Sequence, residues 1–504
     1  MPPFARASCS AFSSSSQALV SRRACGGLFR IGASSSSSSG FSRNREFGIL
    51  LSRPTYLGFA SGRNQRTLMT VTRAAQQKLS PVFGGTPWDG FGVHNLPYGV
   101  FSTPGGSGGQ TRIGVAVGSK ILDCSVLADH GVLPSCLKCA TLNDFMAQPK
   151  SVWNEVRTTL QEVVTDFDQF STKHKIDGGV LVDRTIATMH LPCHIGDYTD
   201  FYASREHATN VGMMFRDPAK ALLPNWLHLP VGYHGRASSV LVSPQSVVRP
   251  KGQAVAKDAP EGPPSFGPSK LVDFELEVGA FVGGPPMQIG ETLTLQEAED
   301  RLFGLVLLND WSARDLQKWE YVPLGPFTAK NFGTIISPWV VPLAALEKFR
   351  VPTPAQVDPV PLPYLRQAEG TKGNVDLSLS VTLESGSSGR KKKVTESNLK
   401  YMYWSLAQQL CHHASGGCNM QPGDLIGTGT ISGPGAGERG CLLEITWAGR
   451  DEVDMGGGET RKFLQDGDTC IISGMAASDS EEEGVRINFG ECVSKVLPAT
   501  HKFF

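Results

Sequence analysis

Residues 271–284 read LVDFELEVGAFVGG, and they place two carboxylates, Glu275 and Glu277, two positions apart in a run that is otherwise almost entirely apolar. Side chains two apart on a strand point to one face, so a strand here sets the two acids side by side. Buried without partners they would cost on the order of several kcal/mol each. A divalent cation, which prefers oxygen ligands, is the simplest way to hold them in an apolar strand. An edge strand with both glutamates in water is the plainer alternative.

Acids recur in two neighbouring contexts. The run LFGLVLLNDWSARD (302–315) is apolar at nearly every position until Asn309-Asp310. That is the pattern of a buried strand whose end carries functional groups. The segment GDYTDFYASREHATNVGMMFR (196–216) gathers Asp197, Asp200, His207 and Arg216 with Tyr198 and Tyr202. Carboxylates from three segments, with His and Arg nearby, suit a metal-centred hydrolytic site. A glycosidase needs its two acids on opposite sides of a cleft, whereas Glu275 and Glu277 share a face. GDLIGTGTISGPGAG (423–437) lacks the Lys and following helix of a phosphate loop and reads as a Gly-rich turn offering N–H groups and hydroxyls.

The wider chain sets limits. Of 47 basic and 47 acidic residues, eleven basic and one acidic (Glu46) fall in 1–88, so the remainder has 36 basic and 46 acidic and a formal charge near −10. An acidic body argues against non-specific nucleic-acid binding, which requires phosphates to be neutralised. No apolar run approaches the ~18 residues of a membrane span, so no membrane partner is expected. The Ser/Arg-rich leader, 1–79, is expected to be disordered and has the composition of an organellar transit peptide. The expected compartment is mitochondrial or plastid if it acts as one, and cytoplasmic otherwise; Met69 offers an internal start. Eleven scattered Cys residues read as free thiols. Cys136-Leu-Lys-Cys139 is a lone CxxC, and a zinc site is not expected there. CHHASGGC (411–418) follows SNLKYMYWSLAQQL, whose Leu399, Met402, Tyr403, Leu406 and Leu410 recur at helical spacing; it reads as a helix end with His near the negative pole.

The fold expected is mainly β with some helix (α+β). After the leader come a small β-rich domain over 80–195, with a helix from Leu142 to about Phe167, and a large domain over 196–504. Pro density in 250–270 excludes regular ladders. NVDLSLSVTLES (374–385) and GCLLEITWAG (440–449) alternate as half-buried strands. GSSGRKKKVTES (386–397) reads as a solvated loop, and SDSEEEG (478–484) as a loop between strands.

Longer runs carry a specific resemblance. MHLPCHIGDYTDFYASREHATNVGMMFR, LLPNWLHLPVGYHGRASS, LLNDWSARDLQKWEYVPLGPF, FGTIISPWVV and GTISG, in that order, are similar to the fumarylacetoacetase family, from about Asn95 to the KVLPA of 495–499. The resemblance implies a small SH3-like N-terminal β domain, a large mixed β-roll and a homodimer. It implies water-dependent cleavage of a carbon–carbon bond between two carbonyl-bearing carbons of a diketo dicarboxylate, with Ca²⁺ or Mg²⁺. On that basis Asp200, Glu275, Glu277 and Asp310 match the family's metal carboxylates, and Lys330 and Thr334 a second, magnesium-type contact. His207 matches the general base and Glu444 its partner. Arg314, Gln317 and Lys330 would stabilise the developing negative charge. Tyr202, Arg216, Tyr233, Gln317, Tyr321 and Thr430 match substrate contacts. A metal-dependent hydrolase or decarboxylase of the same superfamily, acting on another oxo acid, is the neighbouring alternative. A scaffold that has lost activity would lack His207, Glu444 or a carboxylate, and all are present.

Overall fold

The two apolar runs pair with each other. Leu276–Val282 and Leu302–Asp310 form antiparallel neighbours in register Leu276–Asn309 to Val282–Leu302, and every residue of both strands is buried. They are the centre of a mixed sheet in a computed structural model that describes residues 79–500 apart from 85–88, 105–109, 177, 257–259 and 479–483. The expected leader, but for Leu79, and most of the expected 478–484 loop lie outside the described residues.

From one edge to the other the sheet runs Gly232–His234, Tyr198–Phe201, Leu425–Gly427, Leu276–Val282, Leu302–Asp310, Thr334–Ile336 and Val240–Val242, with Val341–Pro342 also on the Leu302–Asp310 strand. Tyr198–Phe201 pairs in parallel with Leu425–Gly427, and Thr334–Ile336 in parallel with Val240–Val242. Both faces are covered, which is why the central strands lack polar alternation. Val278, Ala280, Leu305 and Leu307 enter one core with Trp311 and Trp404, whereas Phe281, Val306 and Leu308 enter a second with Tyr98, Phe145 and Trp153.

The first core lies towards a five-stranded sheet in the order Lys391–Asn398, Ser378–Glu384, Thr469–Ala477, Arg486–Leu497, Gln245–Val248. Ser378–Glu384 alternates as expected, with Leu379, Val381 and Leu383 buried. The second core belongs with an antiparallel five-stranded sheet, Leu181–Asp183, Lys120–Asp123, Arg112–Val117, Tyr98–Ser102 and Thr188–His190, and the helix Lys150–Thr165. Among the described residues no helix is long and apolar enough to cross a membrane.

Several local expectations are corrected. The helix expected from Leu142 is two helices, Asn143–Met146 and Lys150–Thr165, because Pro149 has no N–H to continue the first. The helix expected from Leu399 starts instead at Leu406, where the Ser405 side chain and Gln408 form a capping box. Residues 391–398 are an edge strand, not a loop: the strand Ser378–Glu384 offers a partner to the chain beyond the Lys triplet, and the lysines point to water as edge charges do. Lys251–Ala254 pairs with Ser265–Pro268 on either side of most of the Pro-rich segment, and Pro268 is tolerated at the end of the ladder because a two-stranded sheet has only edge strands.

Leu307, fully buried opposite Val278, tests this layering. Leu307→Ala should lower the unfolding free energy by about 2–5 kcal/mol, read as a reduced Tm, with the far-ultraviolet spectrum of the folded protein unchanged.

Candidate active site and metal centre

The sheet ends in acid. Beyond the last paired rung, Leu276–Asn309, the chain brings Glu275 alongside Asp310. Asp200 pairs with Gly427 on one neighbour and Tyr233 on the other. Oxygens of Asp200, Glu275, Glu277 and Asp310 all lie within 4.8 Å of one another, and the four residues are buried. Glu277 is in the strand; Glu275 stands just before it.

Their partners are unequal. Lys330 donates to Asp310 Oδ2 at 2.6 Å and to Glu275 Oε2, and Arg314 Nη1 donates to Glu275 Oε1 at 2.7 Å. Burial opposes ionisation of Glu275, but Lys330 and Arg314 outweigh it and hold its carboxyl well below the usual range. Asp310 also accepts from Thr334 Oγ1 at 2.9 Å and Tyr233 Oη at 3.1 Å. Asp200 Oδ1 and Glu277 Oε1 have no hydrogen-bond partner. Burial, then the neighbouring carboxylates, push both groups well above the ordinary carboxylate value.

One ammonium and one guanidinium serve Glu275 and Asp310 and leave Asp200 and Glu277 without a cationic partner. All the donors are hard oxygens, and two of the oxygens are orphaned. This donor set fits a divalent cation of the oxygen-preferring kind. Gly427 frames the same place: a Cβ there would stand 3.0 Å from Asp200 Oδ1, 3.0 Å from Tyr198 Oη and 3.1 Å from Glu277 Oε2.

A second group, His207, Cys441 and Glu444, is also buried. His207 lies in the first turn of Arg205–Phe215, whose cap, Ser204, accepts from the His207 N–H. The helix fits tightly here, since a Cβ on Gly212 would collide with the Ala221 carbonyl at 2.0 Å. Glu444 sits in a short helical turn, Leu442–Ile445, and not in the strand expected over 440–449. The apparent alternation fails because the chain must turn sharply, with positive φ at Trp447, Ala448 and Gly449. His207 Nδ1 donates to Glu444 Oε2 at 2.6 Å; Ser432 Oγ donates to the same oxygen at 2.8 Å and Asn210 Nδ2 to Oε1 at 2.9 Å. Burial works against the Glu444 carboxylate, yet His207 and these hydrogen bonds bring its pKa down to about 2. The imidazole is therefore held through Nδ1, and Nε2 is the nitrogen able to take a proton.

Both groups border one cavity of about 1630 Å³. Asp200, Glu275, Glu277, Arg314, Lys330 and His207 line it. So do the expected contacts Tyr202, Arg216, Tyr233, Gln317, Tyr321 and Thr430. Asp310, Thr334 and Glu444 stand a layer behind, touching Lys330, Asp310 and His207 respectively. Tyr202 packs edge-on against the His207 ring at 5.2 Å. Thr430 Oγ1 and Arg314 Nη2 are buried without a protein partner. Arg216 donates twice to the Ala221 carbonyl, and Tyr321 is about half exposed.

Sequence reasoning overlooked Asp273, Asn210, Ser432 and Cys441. Only Asp273 left a trace, as the first of three acids alternating through Glu275 and Glu277. Asn210 and Ser432 are ordinary polar residues until the fold brings them to Glu444. The remaining motifs stay apart from this site. His412 and His413 end the helix Leu406–Ala414 as expected, with His413 Nε2 2.7 Å from Thr199 Oγ1. Cys139 donates to Asp144, and the nine described cysteines are all free thiols. Neither pair joins a metal-binding group among the described residues.

Two family models match the chain: "Fumarylacetoacetase N-terminal" over residues 94–192 and "Fumarylacetoacetate (FAA) hydrolase C-terminal" over 197–497. Relatives named fumarylacetoacetase are 50% identical in Homo sapiens over 81% of this chain and 96% of the relative, and 50% identical in Dictyostelium discoideum over the same shares. The fumarylacetoacetase of Arabidopsis thaliana is 44% identical, over 81% and 96%.

Two measurements probe the site. Gly427→Ala should weaken binding of Mg²⁺ or Ca²⁺ about tenfold or more by isothermal titration, since its methyl crowds two of the carboxylates. For Glu444 the folded pKa of about 2 lies below the ordinary 4.5. Its ionised form therefore adds stability above about pH 4.5, and that stability is lost as pH falls towards 2. The Tm advantage of the native protein over Glu444→Gln should accordingly shrink between about pH 5 and 2.

Proposed function

The chain belongs to the fumarylacetoacetate hydrolase family, and from that premise we propose that it hydrolyses fumarylacetoacetate to fumarate and acetoacetate, a step of tyrosine and phenylalanine catabolism. One observation carries the reading: His207, backed by Glu444, lines the same cavity as Asp200, Glu275 and Glu277 of the four-carboxylate cluster. Neither alone would favour carbon–carbon hydrolysis, but together they supply a base for water and a place to hold a diketone.

A divalent cation, Ca²⁺ or Mg²⁺, held by Asp200, Glu275, Glu277 and Asp310, would neutralise the cluster and polarise carbonyl oxygens. The protein's own groups do the remaining work. His207 Nε2 takes a proton from water while Glu444 fixes the ring through Nδ1 and stabilises the imidazolium. The hydroxide oxygen bonds to the carbonyl carbon on the fumaryl side. The carbon–carbon bond to the methylene then breaks, its electron pair passes into the acetoacetate enolate, and a proton completes that product. Arg314, Gln317 and Lys330 stabilise the negative charge that develops on oxygen and carbon. Tyr202, Tyr233, Tyr321 and Thr430 orient the substrate, and Arg216 suits one of its terminal carboxylates. Thr334 supports the centre through Asp310, from which it is 2.9 Å away.

We further propose that the SH3-like and β-roll division at about residues 195–196 and a homodimeric assembly apply to this chain. The 1–79 leader is proposed to serve targeting, to mitochondria or plastids, and to be dispensable for catalysis.

Protein beginning near residue 79 should cleave fumarylacetoacetate, lose activity with chelator and regain it with Mg²⁺ or Ca²⁺. Folded, metal-loaded protein that leaves this substrate intact would shift the reading to another oxo acid. His207→Ala should reduce kcat at least ~100-fold with metal affinity retained. Glu277→Gln should reduce metal affinity and turnover together; unchanged activity would refute its place in the cation site.

A further inference from the structure

We propose that Asp273 is a positioning residue for this reaction, tying the Arg314 guanidinium and the turn that carries Glu444 to a single carboxylate. The inference rests on the reaction proposed above and adds a residue to it. Asp273 is fully buried, in a two-residue strand that pairs with Ser312–Ala313, and it does not line the cavity. Its Oδ2 accepts from Arg314 Nε at 2.9 Å and from the Leu443 N–H at 2.9 Å. Its Oδ1 accepts from the Leu442 N–H at 2.8 Å.

Each contact reaches a different part of the chemistry. On one side, Arg314 is gripped through Nε by Asp273 and through Nη1 by Glu275 at 2.7 Å. A planar guanidinium held at two of its nitrogens cannot rotate, so the third, Nη2, is presented in a fixed direction. That nitrogen is buried, has no protein partner, and belongs to a residue lining the cavity. On the other side, Leu442 and Leu443 open the turn Leu442–Ile445, and Cys441 offers no side-chain cap. Asp273 satisfies two of the donors that a helix start leaves open, and so fixes the turn from which Glu444 reaches His207. One carboxylate thus sets the distance between the group that meets the developing anion and the group that orients the base.

Without the Asp273 charge, Arg314 retains only Glu275 as an ionic partner and swings towards it, while the turn loses its acceptors. A shift of an ångström in a catalytic group is enough to cost about 100-fold in rate. Substrate binding through Arg216 and the tyrosines would be little affected.

The test is Asp273→Asn, which keeps the shape but removes the charge and one acceptor, measured beside wild type and Arg314→Gln. The expected result is a kcat about 100-fold lower, with KM and calorimetric Mg²⁺ affinity within about threefold of wild type. The double variant should lose less than the two single losses combined, because the Arg314 branch is shared, yet more than Arg314→Gln alone, because the Glu444 turn still loses its acceptors. The downfield proton resonance of His207 Nδ1–H should shift in Asp273→Asn, a change that a general loss of stability would not produce. Asp273→Glu, which keeps the charge on a longer stem, is measured in parallel and should lose less kcat than Asp273→Asn. A folded Asp273→Asn variant with wild-type kcat overturns the proposal, as does a fully additive double variant with an unmoved resonance. Failure of wild type itself to hydrolyse fumarylacetoacetate would count against the proposed reaction, and the resonance would still decide the role of Asp273.

Discussion

Charge in a dry place is the constraint on which this molecule is organised. The central sheet is covered on both faces, so little water reaches what its strands carry, and at one end four buried carboxylates gather beside the cavity. Lys330 and Arg314 answer part of that charge, mainly at Glu275 and Asp310. The remainder, on Asp200 and Glu277, is left for something outside the polypeptide. An arrangement of this kind is unfavourable as pure architecture, and its persistence through otherwise apolar strands marks it as functional.

The His207–Glu444 pair meets the opposite condition within the same cavity. Its carboxylate is fully engaged by His207, Asn210 and Ser432 and stays ionised despite burial. Asp200 and Glu277 are therefore short of donors, and Glu444 is saturated with them. The first attracts a cation; the second holds an imidazole in one tautomer. Two environments give one residue type two roles.

Much of this was legible in the chain. Leu302–Asp310 declared itself by unbroken apolarity, and Glu275 and Glu277 by their spacing, because burial on both faces leaves few ways to encode a strand and makes any acid conspicuous. The family motifs supplied His207 and Glu444, but not the shape of the turn under Glu444: CLLEITW alternates well enough to imitate a strand, and its N–H groups find their acceptor on a distant segment, at Asp273. Residues 391–398 misled in the converse way, since a run of lysines looks like a loop but serves as the edge strand beside Ser378–Glu384. Asp273, Asn210 and Ser432 escaped the sequence because their partners are remote in the chain, whereas the helix starts were misplaced by local signals at Pro149 and Ser405.

The parallel rung between Asp200 and Gly427 extends that point to how the site comes into being. Parallel neighbours cannot be joined by a hairpin, so this contact closes a loop holding most of the large domain, with Glu275, Glu277, Asp310 and Lys330 inside it. Non-local pairings of this sort form late and only once loop entropy has been overcome. Glu275, Glu277, Asp310 and Lys330 come from one stretch around a single antiparallel strand pair, so until the Asp200–Gly427 rung forms a nascent protein lacks Asp200, the fourth carboxylate. The full set of four is complete only in the finished molecule, and a cation held by all four stabilises that state.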